Sequence, residues 1–165
     1  MDIEQIKELK GKGGGHPSKK GEPVLWNNLQ DHTLKFNSLL KYWTNYFSGI
    51  KANYENRMFS KWKYWVSMVD DNKPLDIKRK SFRPSVIGEW SIYNKTIMRY
   101  DDYGNMLYGA AGTAFGFSEN VLLFGANLNQ LSKSGLDESK DTYAIRRGIA
   151  IYKKHLSNNH ILKQA

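Results

Sequence analysis

The 165-residue chain has no cysteine. That absence removes disulfides, thiolate zinc sites and cysteine nucleophiles together. It also leaves the fold indifferent to whether its compartment is reducing or oxidising. Histidine is scarce: His16 and His32 lie near the start, His155 and His160 near the end, and none lies between. No His-x-x-x-His pair exists, so zinc hydrolysis and a histidine-driven ribonuclease mechanism lack their usual groups. Each histidine reads as solvated or satisfied. Long apolar runs are missing as well; nothing approaches the roughly 18 residues of a bilayer span. The opening Met1-Asp2-Ile3-Glu4-Gln5-Ile6-Lys7 lacks the basic-then-apolar build of a cleaved export signal, so delivery is expected to rely on a larger secreted carrier. Acidic residues are outnumbered, 16 against 25 Lys and Arg, and the net charge of +9 favours a polyanionic partner. RNA, an anionic envelope polymer and an acidic binding protein all qualify.

What the chain does have is aromatic residues and clustered glycine. Five Trp, ten Tyr and seven Phe give it large rings to bury or to line a binding surface. Glycines 104, 109, 112 and 116 fall within Tyr100-Asp101-Asp102-Tyr103-Gly104-Asn105-Met106-Leu107-Tyr108-Gly109 and the residues after it. Each glycine costs on the order of 1 kcal/mol against alanine, so four so close together imply a geometric reason. Asp102-Tyr103-Gly104-Asn105 has the residues of a tight turn. The expectation is a hairpin turn that carries Asp102 and Asn105 into a cleft, followed by a closely packed helix start.

The rest divides into a tail and a body. Residues 1–23 read as a tether, rich in Gly, Lys and Pro from Gly11 to Pro23, with His16 solvated inside it. Residues 24–165 form a single domain large enough for a core. Asp31 or Thr33 caps a helix through Leu40, Phe47 and Ile50, and a second covers roughly Asn53 to Val69. On the second, Lys61 and Lys63 interleave with Trp62, Tyr64 and Trp65 as on a nucleic-acid stacking surface. The stronger reading makes those aromatics core and the lysines a solvated face. Asp70 to Ser81 reads as loop, in which Asp76 and Lys78 project from one side if the segment is extended. Residues 85–100 read as strands turning at Asn94-Lys95. Ser118 caps a helix to about Leu131, and Asp141 leads a final helix with a basic end. The class is α+β: mostly helical, with a small antiparallel β element.

Several ordered motifs carry a resemblance. Val69, then Pro74-Leu75-Asp76-Ile77-Lys78; the Tyr100–Gly109 run with Gly112, Ala114 and Gly116; Leu122-Leu123 with Ala126 to Gln130; and Asp141 with Ala144-Ile145, Gly148-Ile149 and Tyr152 follow one another as in the bacterial polymorphic toxin type 44 family. The similarity spans about half the chain, Val66 to Tyr152. It departs at Leu75 and Ile77, where the family tends to be aromatic, and at Met106-Leu107, where aromatic or histidine residues are common. The resemblance implies a toxin domain at the end of a secreted effector, aimed at rival bacteria and neutralised by a cognate immunity protein. Charge predicts that this partner is acidic.

The reaction has to come from the side chains. Asp76, Asp101 and Asp102 could hold Mg²⁺, although adjacent aspartates in a turn are commonly just solvated; no cofactor is otherwise implied. Glycan cleavage needs two carboxylates roughly 5 to 9 Å apart across a cleft, with aromatics for the sugar faces. Asp76 or Glu89 is the candidate general acid and Asp102 the nucleophile or stabiliser, while Lys78 tunes a carboxylate or binds an anionic group. Asn105, Tyr108, Gly104, Gly109, Tyr100 and Asp141 are the candidate substrate-contacting positions. An envelope hydrolase acting in the target periplasm, on peptidoglycan or its lipid-linked precursor, is the leading reading. A basic nuclease acting in the target cytoplasm is the alternative, and a non-catalytic binding module the third.

Overall fold

Helix-forming periodicity dominates the body, and the computed structural model describes residues 29–82, 90–131 and 138–164. The tether at 1–23 and the strand residues before Trp90, Glu89 among them, lie outside the described residues. Helix α1, Thr33–Ile50, buries Phe36, Leu40 and Phe47 on one side. The Asp31 carboxylate accepts from the Thr33 N–H at 2.8 Å, ahead of the first turn. A short 3₁₀ turn at Lys51–Tyr54 then leads to α2, Met58–Val69, which starts later than its apolar spacing suggests.

The segment after α2 is not extended. Asn72 adopts φ +61°, a left-handed value that asparagine tolerates, and its N–H donates to Asp76 Oδ2 at 2.9 Å. The Leu75 N–H donates to the Met68 carbonyl at 2.9 Å. These bonds fold the loop back on α2 and start a single turn, α3, at Ile77–Lys80. Asp76 and Lys78 therefore approach the same space through a compact turn and not through strand alternation.

Strands β1, Trp90–Tyr93, and β2, Thr96–Arg99, pair antiparallel with Trp90 opposite Arg99. Asn94 and Lys95, both at positive φ, make the turn between them. This is the small β element expected beside the helices. The next element departs from expectation: Tyr100–Phe115 is one continuous helix, α4, with no turn at Gly104-Asn105. Local turn propensity loses here to position and packing. Asp101 and Asp102 occupy the first helical turn, where carboxylates suit the positive end of the helix dipole. Asp102 Oδ2 also accepts the Arg99 N–H at 3.2 Å.

The α4 helix is the centre of the molecule, with Tyr103, Met106, Leu107, Ala110, Ala111, Ala114 and Phe115 all buried. Its glycines serve contact. A Cβ at Gly109 would stand 2.1 Å from the Ile145 carbonyl oxygen, and one at Gly148 would stand 1.9 Å from that of Met106. Both partners belong to a backbone-to-backbone crossing between α4 and the long α6, Glu138–Gln164. Gly112 gives the same room to Leu122 of α5, Glu119–Leu131. Ser118 precedes α5 as expected, its carbonyl accepting the Leu122 N–H at 3.1 Å. Gly116, at φ +93°, closes α4 in the left-handed conformation.

Aromatics knit the layers together. Tyr103 stacks on Phe82 at 4.2 Å and meets Phe36 edge-on at 4.9 Å, while Trp65 packs with Phe47, Tyr108, Phe115 and Phe117. Trp65 is core, as expected, and Lys63 is exposed. Lys61 is not on a solvated face: it is 8% exposed, with Nζ 4.8 Å from the centre of Phe117 and 5.1 Å from that of Phe115. Cation–π contact makes its burial affordable. Among the described residues, no helix is long and apolar enough to cross a membrane.

Candidate functional site

Four helices and a folded loop converge on a cleft of about 480 Å³. Helix α2 contributes one wall with Trp62, Val66 and Val69, and α5 contributes Gly125, Ala126 and Leu128. The floor is the α4–α6 pair, through Gly104, Asn105, Tyr108, Asp141 and Ile145. The folded loop closes the remaining side with Asp70, Asp71, Leu75, Asp76 and Lys78. Four of the five charged residues lining the cleft are thus aspartates, in a chain whose net charge is +9.

Each wall has a local cause. Asp76 is 5% exposed, set at the start of α3 by the Asn72 N–H and by its own N–H donating to the Lys73 carbonyl at 3.0 Å. The Lys78 stem lies over Gly104: a methyl group there would touch its Cβ at 3.7 Å and its Cδ at 3.8 Å. Asn105 Nδ2 donates to Asp141 Oδ1 at 2.7 Å, which orients that carboxylate from α6. The Tyr108 hydroxyl donates to the Leu122 carbonyl at 2.9 Å. Burial pushes its phenol up to about 12, with the Trp65 indole pulling the other way, so Tyr108 stays protonated. Gly125 admits the Trp62 ring, whose Cη2 lies 2.5 Å from where a Cβ would be. Val66 and Leu128 remain substantially exposed at the mouth.

Six sequence-predicted positions meet in this cleft: Asp76, Lys78, Gly104, Asn105, Tyr108 and Asp141. Three others stand elsewhere. Gly109 lies in the α4–α6 crossing. Tyr100 sits beside the Arg99 guanidinium, 5.9 Å from ring centre to carbon. Asp102 is half-buried in the first turn of α4 and does not line the cleft. Burial first, then Asp101 and more weakly Asp141, push its carboxyl up to about 6, against the Arg99 N–H and guanidinium. Asp101 itself pairs with Arg99 at 2.5 and 2.9 Å. Glu89 is outside the described residues. Among the described residues, no three His, Asp or Glu side chains are grouped so as to hold a metal ion.

Sequence reading missed Asp70 and Asp71 as cleft residues, as well as the wall formed by Trp62 and Val66. Nothing local marks them; the loop that folds them inward is held by Asn72 at positive φ and by its bond to Asp76. The available chemistry is that of four carboxylates lining one aromatic-walled cleft, with one lysine and one amide beside them.

Comparison with protein families places residues 64–154 within the model of Ntox44, bacterial toxin 44. Comparison with curated proteins and with solved structures returns no match. The matched segment runs from α2 to α6 and holds every cleft residue except Trp62.

Proposed function

We propose, since the chain belongs to the bacterial toxin 44 family, that its cleft hydrolyses a glycosidic bond of the bacterial envelope, in peptidoglycan or its lipid-linked precursor. The observation that carries this reading is the cleft's composition: four aspartates and one lysine between aromatic walls. Carboxylates repel the phosphate on every nucleotide of RNA, whereas the sugar rings around a glycosidic bond are themselves uncharged. Trp62 and Tyr108 suit sugar faces.

Asp76, from the folded loop, and Asp141, from the floor, form the working pair. Asp76 delivers a proton to the leaving glycosidic oxygen. Asp141, oriented by Asn105, attacks the anomeric carbon or draws a proton from the attacking water. Lys78 neutralises part of the carboxylate charge and holds an anionic substituent. Asp102 does not line the cleft and acts on Asp141 only through its charge. The unit that acts is residues 24–165, delivered to the target periplasm on a carrier behind the 1–23 tether, and an acidic immunity protein blocks it.

The test is expression of the chain in a bacterial host with and without a periplasmic export signal, beside Asp76→Asn and Asp141→Asn. Lysis with the signal alone, muropeptide release by the purified chain and loss of both in the two variants are the expected result. Growth arrest without the signal, with degraded RNA and intact sacculi, would establish the nuclease alternative that the +9 charge favours.

A further inference from the structure

A second concavity, of about 350 Å³, opens on the opposite face of α2 and takes no part in the cleft. Its walls are Tyr46 and Ile50 of α1, Asn53 and Tyr54 of the 3₁₀ turn, and Arg57, Ser60 and Tyr64. Its chemistry is the reverse of the cleft's. Arg57 is the only charged residue lining it, and no described residue forms an ion pair with that guanidinium. The tyrosines are set in place: Tyr54 and Tyr64 stack at 5.4 Å and 19°, and the Tyr46 and Tyr64 hydroxyls share a hydrogen bond of 2.5 Å. Burial and the Tyr46 hydroxyl push the Tyr64 phenol upward, so this wall adds no negative charge at neutral pH.

We propose that this pocket binds a phosphorylated sugar, with the phosphate on Arg57 and the sugar against the tyrosines. A guanidinium presents a planar fork of N–H donors that matches phosphate oxygens two at a time. Asn53 and Ser60 offer donors and acceptors to ring hydroxyls, and the Tyr54 and Ile50 side chains offer an apolar surface for the sugar's C–H face. A bare anion would use Arg57 and waste the tyrosines; a neutral sugar would leave Arg57 unused. The pocket therefore holds the chain on phosphate-bearing glycan. This assignment does not rest on the reaction proposed for the cleft.

The test is calorimetric titration of the full chain with glucose 1-phosphate, inorganic phosphate and glucose in parallel, repeated on Arg57→Gln and Asn53→Ala. Arg57 and Asn53 are exposed, so both variants are expected to fold, which their unfolding midpoints check. Glucose 1-phosphate is expected to bind at least about tenfold more tightly than either fragment. Arg57→Gln is expected to weaken it about tenfold or more, the scale of one charge-assisted hydrogen bond, and to leave any cleft turnover unchanged. Absence of binding, binding indifferent to Arg57→Gln, or binding equalled by inorganic phosphate alone would each overturn the proposal.

Discussion

Helix α2 separates two concave surfaces of opposite character. On its Trp62–Val66–Val69 side the cleft is acidic; on its Arg57–Ser60–Tyr64 side the only charge is positive. The contrast extends to how they are built. The cleft floor rests on α4 and α6, which meet backbone to backbone at Gly109 and Gly148. The second pocket rests on the surface stack of Tyr54 and Tyr64 and one hydroxyl pair. The lesson concerns net charge: +9 is a sum over the whole chain and says little about its main cleft. Overall basicity and local acidity coexist because the acidic residues are gathered by one folded loop and one helix face.

The strongest test of the contrast acts on turnover. Asp76→Asn and Asp141→Asn are each expected to lower glycan cleavage by about 10²- to 10⁴-fold, the range of a lost acid–base group, with little change in unfolding midpoint. A comparable loss from Arg57→Gln would erase the distinction between the two surfaces. Next in size is the floor. Gly109→Ala or Gly148→Ala drives a methyl group into a backbone carbonyl, which cannot swing aside as a side chain can. A loss of about 3 kcal/mol or more is expected in denaturant unfolding; wild-type stability would mean that α4 and α6 are free to separate.

Asp102 gives a pH signature. Burial first, then the neighbouring Asp101, push its carboxyl from an ordinary 3.8 up to about 6 in the fold, so the folded state prefers the proton more than the unfolded state does. Its stabilising contribution is therefore complete below about pH 4 and lost as pH rises through about 6, a swing of up to about 3 kcal/mol. Asp102→Asn keeps an acceptor for the Arg99 N–H and cannot ionise. The variant is expected to gain stability over wild type at pH 7 and to flatten the fall between pH 4 and 7 in thermal unfolding. A parallel pH curve would locate the titrating group elsewhere. The smallest effect is expected at Gly104. A methyl there meets only the Lys78 stem at ordinary contact distance, so Gly104→Ala is expected to stabilise α4 by about 0.5–1 kcal/mol, the helix-propensity gain.

These expectations show how much of the molecule was legible in the sequence. Helix α1, the Asn94-Lys95 turn and the Ser118 start of α5 follow from spacing, turn chemistry and capping, all of them local. Asp102-Tyr103-Gly104-Asn105 was misleading for a physical reason. Glycine and asparagine there signal a turn when only neighbours in sequence are considered, but Gly109 and Gly112 are needed by α6 and Leu122, which are distant in sequence. The two aspartates taken as turn residues are also good first-turn residues of a helix. Six of the candidate site positions do meet in one cleft, because the motif spacing already marked Asp76, Asn105 and Asp141. The burial of Lys61, the inward fold of Asp70 and Asp71, and the pocket around Arg57 depend on tertiary contacts that no local pattern encodes.

The bare crossing of α4 and α6 also bears on how such a chain can change over generations. Asn105 precedes Gly109 by one helical turn and Asp141 precedes Ile145 by one, so the Gly109–Ile145 contact sets the gap that the Asn105–Asp141 hydrogen bond spans. No side chain lies between the two backbones to be traded for a slightly larger or smaller one. Drift at that crossing is all or nothing. Phe59 and Phe124, by contrast, are exposed, do not line the cleft, and can be exchanged without moving the floor. A lineage built on this plan can therefore keep rewriting its exposed apolar surface while the crossing beneath the cleft is inherited unaltered.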